Sequence, residues 1–219
     1  MNNTASQRTN DSRGRIRREN EARILEAAER VFAETGLAGA TMAQIAQAAN
    51  LPKANLHYYF GTKEQLYQAV LTAILELWLD ATDAIVPDSD PAKALAGYVR
   101  AKMRHSRTRP FASRVFANEL LSGAPYLTEY LEIDLKQRVE AKSRIVAGWI
   151  AQGRMAALDP RHLFFMLWAM TQTYADFAVQ IRAVMDVESL SDAAWEEATA
   201  EVTAFVLRGC GIVQVEPAP

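Results

Sequence analysis

The chain has 219 residues, enough for one or two domains with a sizeable buried core, and its 50% hydrophobic content argues against global disorder. The formal net charge of −2 gives no overall nucleic-acid signature, and the single cysteine, Cys210, excludes an intramolecular disulfide and a cysteine-based metal cluster. The opening Met-Asn-Asn-Thr lacks the apolar core of a signal peptide and no apolar run reaches ~18 residues without interruption, so a cytoplasmic protein without a membrane span is expected.

Charge is uneven along the chain. Residues 1 to 66 carry nine basic and seven acidic side chains, against fifteen and nineteen in the remainder. A mildly basic head on an acidic body suits phosphate contact at one end. Residues 1 to 18 are polar and arginine-rich, and read as a flexible basic arm. Arg13, Arg15, Arg17 and Arg18 could touch phosphate or the minor groove, or the arm could be a solvated tail.

The first ordered helix is expected over about 19 to 35, with Ile24, Ala28, Val31 and Phe32 on one stripe and Gly36 ending it. A short helix follows: Thr41 is placed as its N-cap, and Met42, Ile45, Ala46 and Ala49 recur at helical spacing. Asn50 tolerates the left-handed conformation that a sharp turn needs, Leu51 plugs the turn, and Pro52 can open the next helix without losing a hydrogen bond. This helix–turn–helix layout runs to about Tyr59. In such a motif the second helix lies in the major groove. Its outward residues would be Lys53, Ala54, Asn55, His57 and Tyr58, with Leu56 and Phe60 turned inward.

Asn pairs bidentately with adenine, Lys reaches guanine or phosphate, and the Ala54 methyl could touch a thymine methyl. Thr41, Tyr58, Tyr59 and Lys63 suit phosphate contacts, which set register rather than sequence. Thr62 is expected to cap the next helix, leaving Lys63 beside backbone N–H groups that favour an anion. A plain packed helical hairpin shares this periodicity, so spacing alone leaves both readings open.

The helix from Lys63 is expected to reach about Ile85, and Pro87 to Pro91 breaks the chain. Helices over 91–108 and from Pro110 follow. Gly123-Ala124-Pro125 is a second break, and a long helix then runs to about Gln152. Asp159-Pro160 caps a helix to about Val184, and Ser191 with Asp192 begins the last one, ending near Gly209; residues 210 to 219 read as a disordered tail. No strand alternation and no internal repeat is visible. The expected class is all-α with about nine helices: an N-terminal three-helix DNA-binding domain over 19–66 and a helical ligand-binding and dimerisation domain over 67–209.

The helix after Asp159 is largely apolar, then carries Thr171, Gln172, Thr173, Tyr174 and Asp176 in quick succession. Buried polar groups need partners, and a ligand is one solution. Gln172 offers a donor and an acceptor on one amide; Trp78 and Trp168 offer stacking faces; Tyr174 adds a ring and a hydroxyl. Phe177, Leu79, Leu77, Phe111 and Phe116 are further wall candidates. Aromatics at helical spacing also fill plain cores, so the residues alone leave pocket and core open. His57, His105 and His162 are scattered, so no metal site or cofactor is expected. No paired-carboxylate, nucleophile-with-base or phosphate-loop pattern supports an all-α enzyme.

The window from Phe32-Ala33-Glu34-Thr35-Gly36 through Thr41, Ile45-Ala46, Ala49, Leu51, Lys53, Leu56, Tyr59-Phe60 and Lys63-Glu64-Gln65-Leu66 resembles the DNA-binding domain of the TetR family of transcriptional repressors. Asn50 stands where that family commonly has glycine, and His57 where it commonly has tyrosine. The runs Leu167 to Gln180, Glu76-Leu77-Trp78-Leu79, Glu119 to Pro125 and Gly148-Trp149-Ile150 are similar to the family's pyrimidine-utilisation regulators. The resemblance implies a homodimer on a palindromic operator, released by uracil or thymine. The last two long helices would pair between subunits, with Ala193, Ala194, Ala198, Val202 and Phe205 as the apolar stripe. A repressor of the same fold sensing a drug or fatty acyl effector is the alternative.

Overall fold

The computed structural model describes the backbone of residues 3–212 and the side chains of residues 14–212 apart from Leu79 and Asp80. The Arg13 and Leu79 side chains and most of the expected tail therefore lie outside the described residues. The chain divides into two compact units between Ile74 and Leu75.

The first unit holds α1 (Asn3–Gly39), α2 (Met42–Ala48), α3 (Lys53–Phe60) and the first part of α4 (Lys63–Asp80). Helix α1 begins at Asn3, well before the start expected near residue 19. The stretch expected as an arm is continuous with it, and Arg15–Glu19 and Arg17–Glu21 pairs one turn apart lie along it. Gly36 interrupts the helix with φ of 68°, a conformation that glycine reaches at no steric cost. Ile24, Ala28, Val31 and Phe32 are buried on one stripe, as the spacing requires. The division falls eight residues later than the expected boundary at Leu66. The reason is local: Tyr67 sets its ring edge-on to Phe32 at 5.0 Å, and Val70 and Leu71 are buried.

The second unit holds the rest of α4, then α5 (Pro91–Thr108), α6 (Pro110–Leu121), α7 (Thr128–Tyr130), a π-helical stretch (Leu131–Leu135), α8 (Lys136–Ala151), α9 (Pro160–Asp176), α10 (Ala178–Met185) and α11 (Asp192–Gly209). Taking Thr128 to Ala151 as one run, the described residues form ten helices and no strand. The expected helix from Asp159 to Val184 is split because Phe177 leaves helical geometry, at φ −111° and ψ 28°. The caps fall where the sequence puts them. Asp90, Asp159 and Ser191 each accept a backbone N–H from the first turn of their helix. Helix α5 packs against α9 and α11, and α6 and α8 also pack on α9. Trp149, Tyr98, Phe164, Leu95 and Leu167 are among the most buried side chains of this core. Cys210 is buried and its carbonyl accepts from the Ala156 N–H, so the packed body continues past residue 209.

Candidate functional sites

The position of α3 is set by a short, fully specified turn. The Thr41 hydroxyl accepts from the Gln44 N–H at 3.2 Å, and the Gln44 side chain accepts from the Thr41 N–H at 2.9 Å, a reciprocal cap that starts α2. Asn50 takes φ of 51°, the left-handed value the turn demands. The Arg23 guanidinium donates to the Ala49 carbonyl at 2.8 Å, fastening α1 to the turn. Pro52 is the N-cap residue rather than the first residue of α3. Leu56 is fully buried and anchors α3.

What α3 then presents is Lys53, Ala54, His57 and Tyr58, all exposed, with Asn55 partly so. His57 Nδ1 lies 2.8 Å from the Gly61 carbonyl. A carbonyl can only accept, so Nδ1 is the donor in this contact. Tyr59 is half-buried, and its hydroxyl accepts from the Asn20 amide at 3.3 Å. Lys63 differs from its expected role beside phosphate. Its ammonium donates to the Leu37 carbonyl at 2.7 Å and the Ala40 carbonyl at 3.1 Å. Helix ends leave carbonyls unsatisfied, and this cation closes the end of α1. Thr62 caps α4 reciprocally with Gln65, as expected.

The second unit holds a partly open cavity of about 130 Å³. Trp78, Tyr98, Phe116, Phe164 and Trp168 form aromatic walls, and Gln172 and Thr82 supply neutral polar points. Trp78 stands edge-on to Phe116 at 4.4 Å, and the Tyr98 and Phe164 rings are perpendicular at 6.5 Å. The Trp168 Nε1–H donates to the Tyr98 hydroxyl at 2.9 Å, which fixes both rings. Burial pushes the Tyr98 phenol up to about 12, against the Trp168 hydrogen bond, so it stays a neutral donor.

Cations also line this space: Lys102, Arg138 and Lys142. The Lys102 ammonium sits 4.3 Å from the centre of the Trp78 ring. Burial pushes Lys102 down to about 8, with the Asp176 charge pulling it back up. Lys142 donates to the Ile85 carbonyl at 3.0 Å; burial lowers its pKa while Asp83 opposes.

Of the residues singled out from the sequence, Trp78, Trp168, Gln172 and the lesser candidate Phe116 come together here. Thr171, Tyr174 and Phe177 do not line the cavity. Thr171 is buried, but its hydroxyl donates to the Leu167 carbonyl at 2.7 Å within its own helix, so it needs no ligand. Tyr174 packs its ring on Trp195 at 5.8 Å, and Phe177 is 59% exposed at the break after α9. Among the lining residues that sequence reasoning missed are Tyr98, Lys102, Tyr130, Arg138, Lys142 and Phe164.

No helix among the described residues is long and apolar enough to cross a membrane, and no cluster of metal-ligating side chains occurs among them. Residues 24–70 match the profile described as bacterial regulatory proteins, tetR family, and residues 71–213 that of the YcdC-like protein C-terminal region. The HTH-type transcriptional regulator RutR of Escherichia coli K12 is 42% identical over 186 residues, covering 85% of this chain and 88% of that protein. Among solved structures, the putative transcriptional regulator SCO4942 from Streptomyces coelicolor aligns with a TM-score of 0.65 at 25% identity, covering 86% of this chain and 96% of that one. The ketosteroid transcriptional regulator KstR2 of Mycobacterium tuberculosis aligns with a TM-score of 0.69 at 21% identity, covering 86% and 93%.

Proposed function

The chain belongs to the TetR family of bacterial regulatory proteins, a family of DNA-binding transcriptional regulators rather than enzymes, and from that premise we propose that it is a homodimeric repressor released from a palindromic operator by uracil or thymine. The observation that carries the effector assignment is the size and chemistry of the cavity. A dry apolar cavity of about 150 Å³ holds a single benzene ring, and bound-ligand sites for larger compounds run from about 300 Å³ upward. At about 130 Å³, the space between Trp78 and Trp168 suits one six-membered ring. Gln172 offers an amide edge for a ring that alternates N–H and carbonyl groups, and Tyr98 and Lys102 donate to carbonyl oxygens.

On the DNA side, Asn55 reads a base edge, Lys53 reaches a phosphate, Ala54 meets a thymine methyl, and Thr41, His57, Tyr58 and Tyr59 hold the backbone. Two copies place two α3 helices in successive major grooves, ~34 Å apart. The second copy docks through α9 and α11, where Phe165, Met166 and Phe205 are about half exposed or more. Val202, expected on that stripe, is instead buried in the core of its own subunit.

Helix α4 carries Trp78 at the cavity and has its first residues in the DNA-binding unit. A ligand that prefers one position of α4 changes operator affinity by the ratio of its affinities for the two states. A gel shift on the protein's own upstream region, with uracil, thymine and a long-chain acyl compound in parallel, tests the proposal. Release by the pyrimidines alone supports it; release by the acyl compound alone refutes it in favour of the other effector class.

A further inference from the structure

We propose that the effector occupies the cavity as an anion, a single planar ring carrying one negative charge, with the Lys102 ammonium and the Arg138 guanidinium as its counter-charges. This rests on the cavity being the effector site and specifies the electrical form in which that site takes its ligand.

Lys102 is 3% exposed, and no hydrogen bond engages its ammonium among the described residues. Its neighbours are the Trp78 ring face and, from α9, the Asp176 carboxyl. Burial pushes the pKa of that carboxyl up, with a Ser113 hydrogen bond and the charges of Lys102 and Arg114 pulling it back, and Asp176 is not among the residues that line the cavity. Arg138, on α8, is half-buried, and neither a hydrogen bond nor an ion pair holds it among the described residues. Lys142 is already engaged, by the Ile85 carbonyl and the charge of Asp83. Lys102 and Arg138 therefore line the cavity without a hydrogen bond to any described residue, and none of the described lining side chains is a carboxylate.

Burying a charge without a partner is costly, and removing a partner from a buried pair leaves that cost in full. An anionic ring supplies the counter-charge that no described lining side chain provides on the cavity side, and spreads it over its carbonyl oxygens between the two cations. The negative charge can arise in two ways. A ring N–H can release its proton to solvent, leaving the electron pair delocalised onto the flanking carbonyls, or the ring can carry a carboxylate.

The test is calorimetric binding to the full-length dimer at one neutral pH, with thymine, uracil, 5-fluorouracil and 6-azauracil. These four are close in shape and rise in N–H acidity in that order. 6-Carboxyuracil forms the second arm. If the ring binds as its anion, affinity tightens by up to about tenfold for each tenfold gain in ligand acidity, because less free energy is needed to remove the proton. The bound 5-fluorouracil then shows the red-shifted absorption band of its deprotonated ring. Lys102→Met and, at the half-buried position, Arg138→Gln each flatten this dependence while thermal melting reports that the fold is kept.

A flat acidity series with tight 6-carboxyuracil binding also supports an anion, and assigns the charge to a carboxylate. Equal affinity across all five compounds, with the absorption band of the neutral ring, overturns the proposal while leaving the cavity as the effector site. Failure of every ring to bind overturns the effector site itself.

Discussion

Replacing Asn55 by alanine separates recognition from stability. Asn55 is partly exposed on α3, and no hydrogen bond engages its side chain among the described residues, so the fold loses no hydrogen bond. Alanine is also the better helix former, by a few tenths of a kcal/mol. Thermal stability should therefore stay within about 0.5 kcal/mol of the parent. Operator affinity should not. A bidentate Asn–adenine pair contributes about 1–3 kcal/mol of discrimination, and a dimer on a palindrome loses two of them, about 2–6 kcal/mol in all. At about 1.4 kcal/mol per tenfold, that is a loss from about thirtyfold to about twenty-thousandfold. Fluorescence anisotropy on operator duplex and on a scrambled duplex, at one fixed salt concentration, reads both numbers. Specific binding should fall and non-specific binding should hold. A loss of less than about threefold, or an equal loss on both duplexes, would refute the placement of Asn55 against a base.

Lys63→Met should lower thermal stability by about 1.5–3 kcal/mol, because its ammonium holds two helix-end carbonyls, and should leave the salt dependence of operator binding unchanged. Lys53→Ala should do the reverse, reducing the salt slope by about 1.8 per dimer, at ~0.9 per phosphate contact, with melting unaffected. Tyr98→Phe removes the acceptor of the Trp168 N–H, and should cost about 1–3 kcal/mol in urea denaturation together with a loss of effector affinity. Asp159 is held down at about 2, chiefly by its hydrogen bonds with Arg161, so its contribution is present above the ordinary carboxyl value of 3.8 and is lost as pH falls from there through about 2. The gap in melting temperature between wild type and Asp159→Asn should therefore narrow across that window, and a gap that widens on acidification would contradict the assignment.

The DNA-binding head was legible because each of its devices is local. A Thr–Gln cap, an Asn at the left-handed position and an apolar anchor at Leu56 all act within a few residues, and the structure has each in place. The Lys63 contact was not, since it joins the start of α4 to carbonyls more than twenty residues earlier.

The cavity was half legible. Trp78, Trp168 and Gln172 stood out as residue types, but the cations were masked by an expectation that lysine and arginine face water. A signal existed: Lys102 follows Leu95, Tyr98 and Val99 at helical spacing on α5, so it occupies a position on an apolar stripe. Thr171 misled for the opposite reason, because a threonine hydroxyl can satisfy itself on its own helix. No proline or glycine marks the break at Phe177 or the π-helical stretch before α8, so neither carried a local signal.

Coupling between the cavity and the reading helix is measured most directly from both ends. Operator Kd is determined with and without saturating uracil, and uracil Kd with and without saturating operator. Binding free energies are reciprocal, so the two ratios must agree, and a repressor released by its effector gives both well above one. Uracil that binds with the same affinity to the free and the operator-bound dimer would contradict control of the DNA-binding heads by this cavity.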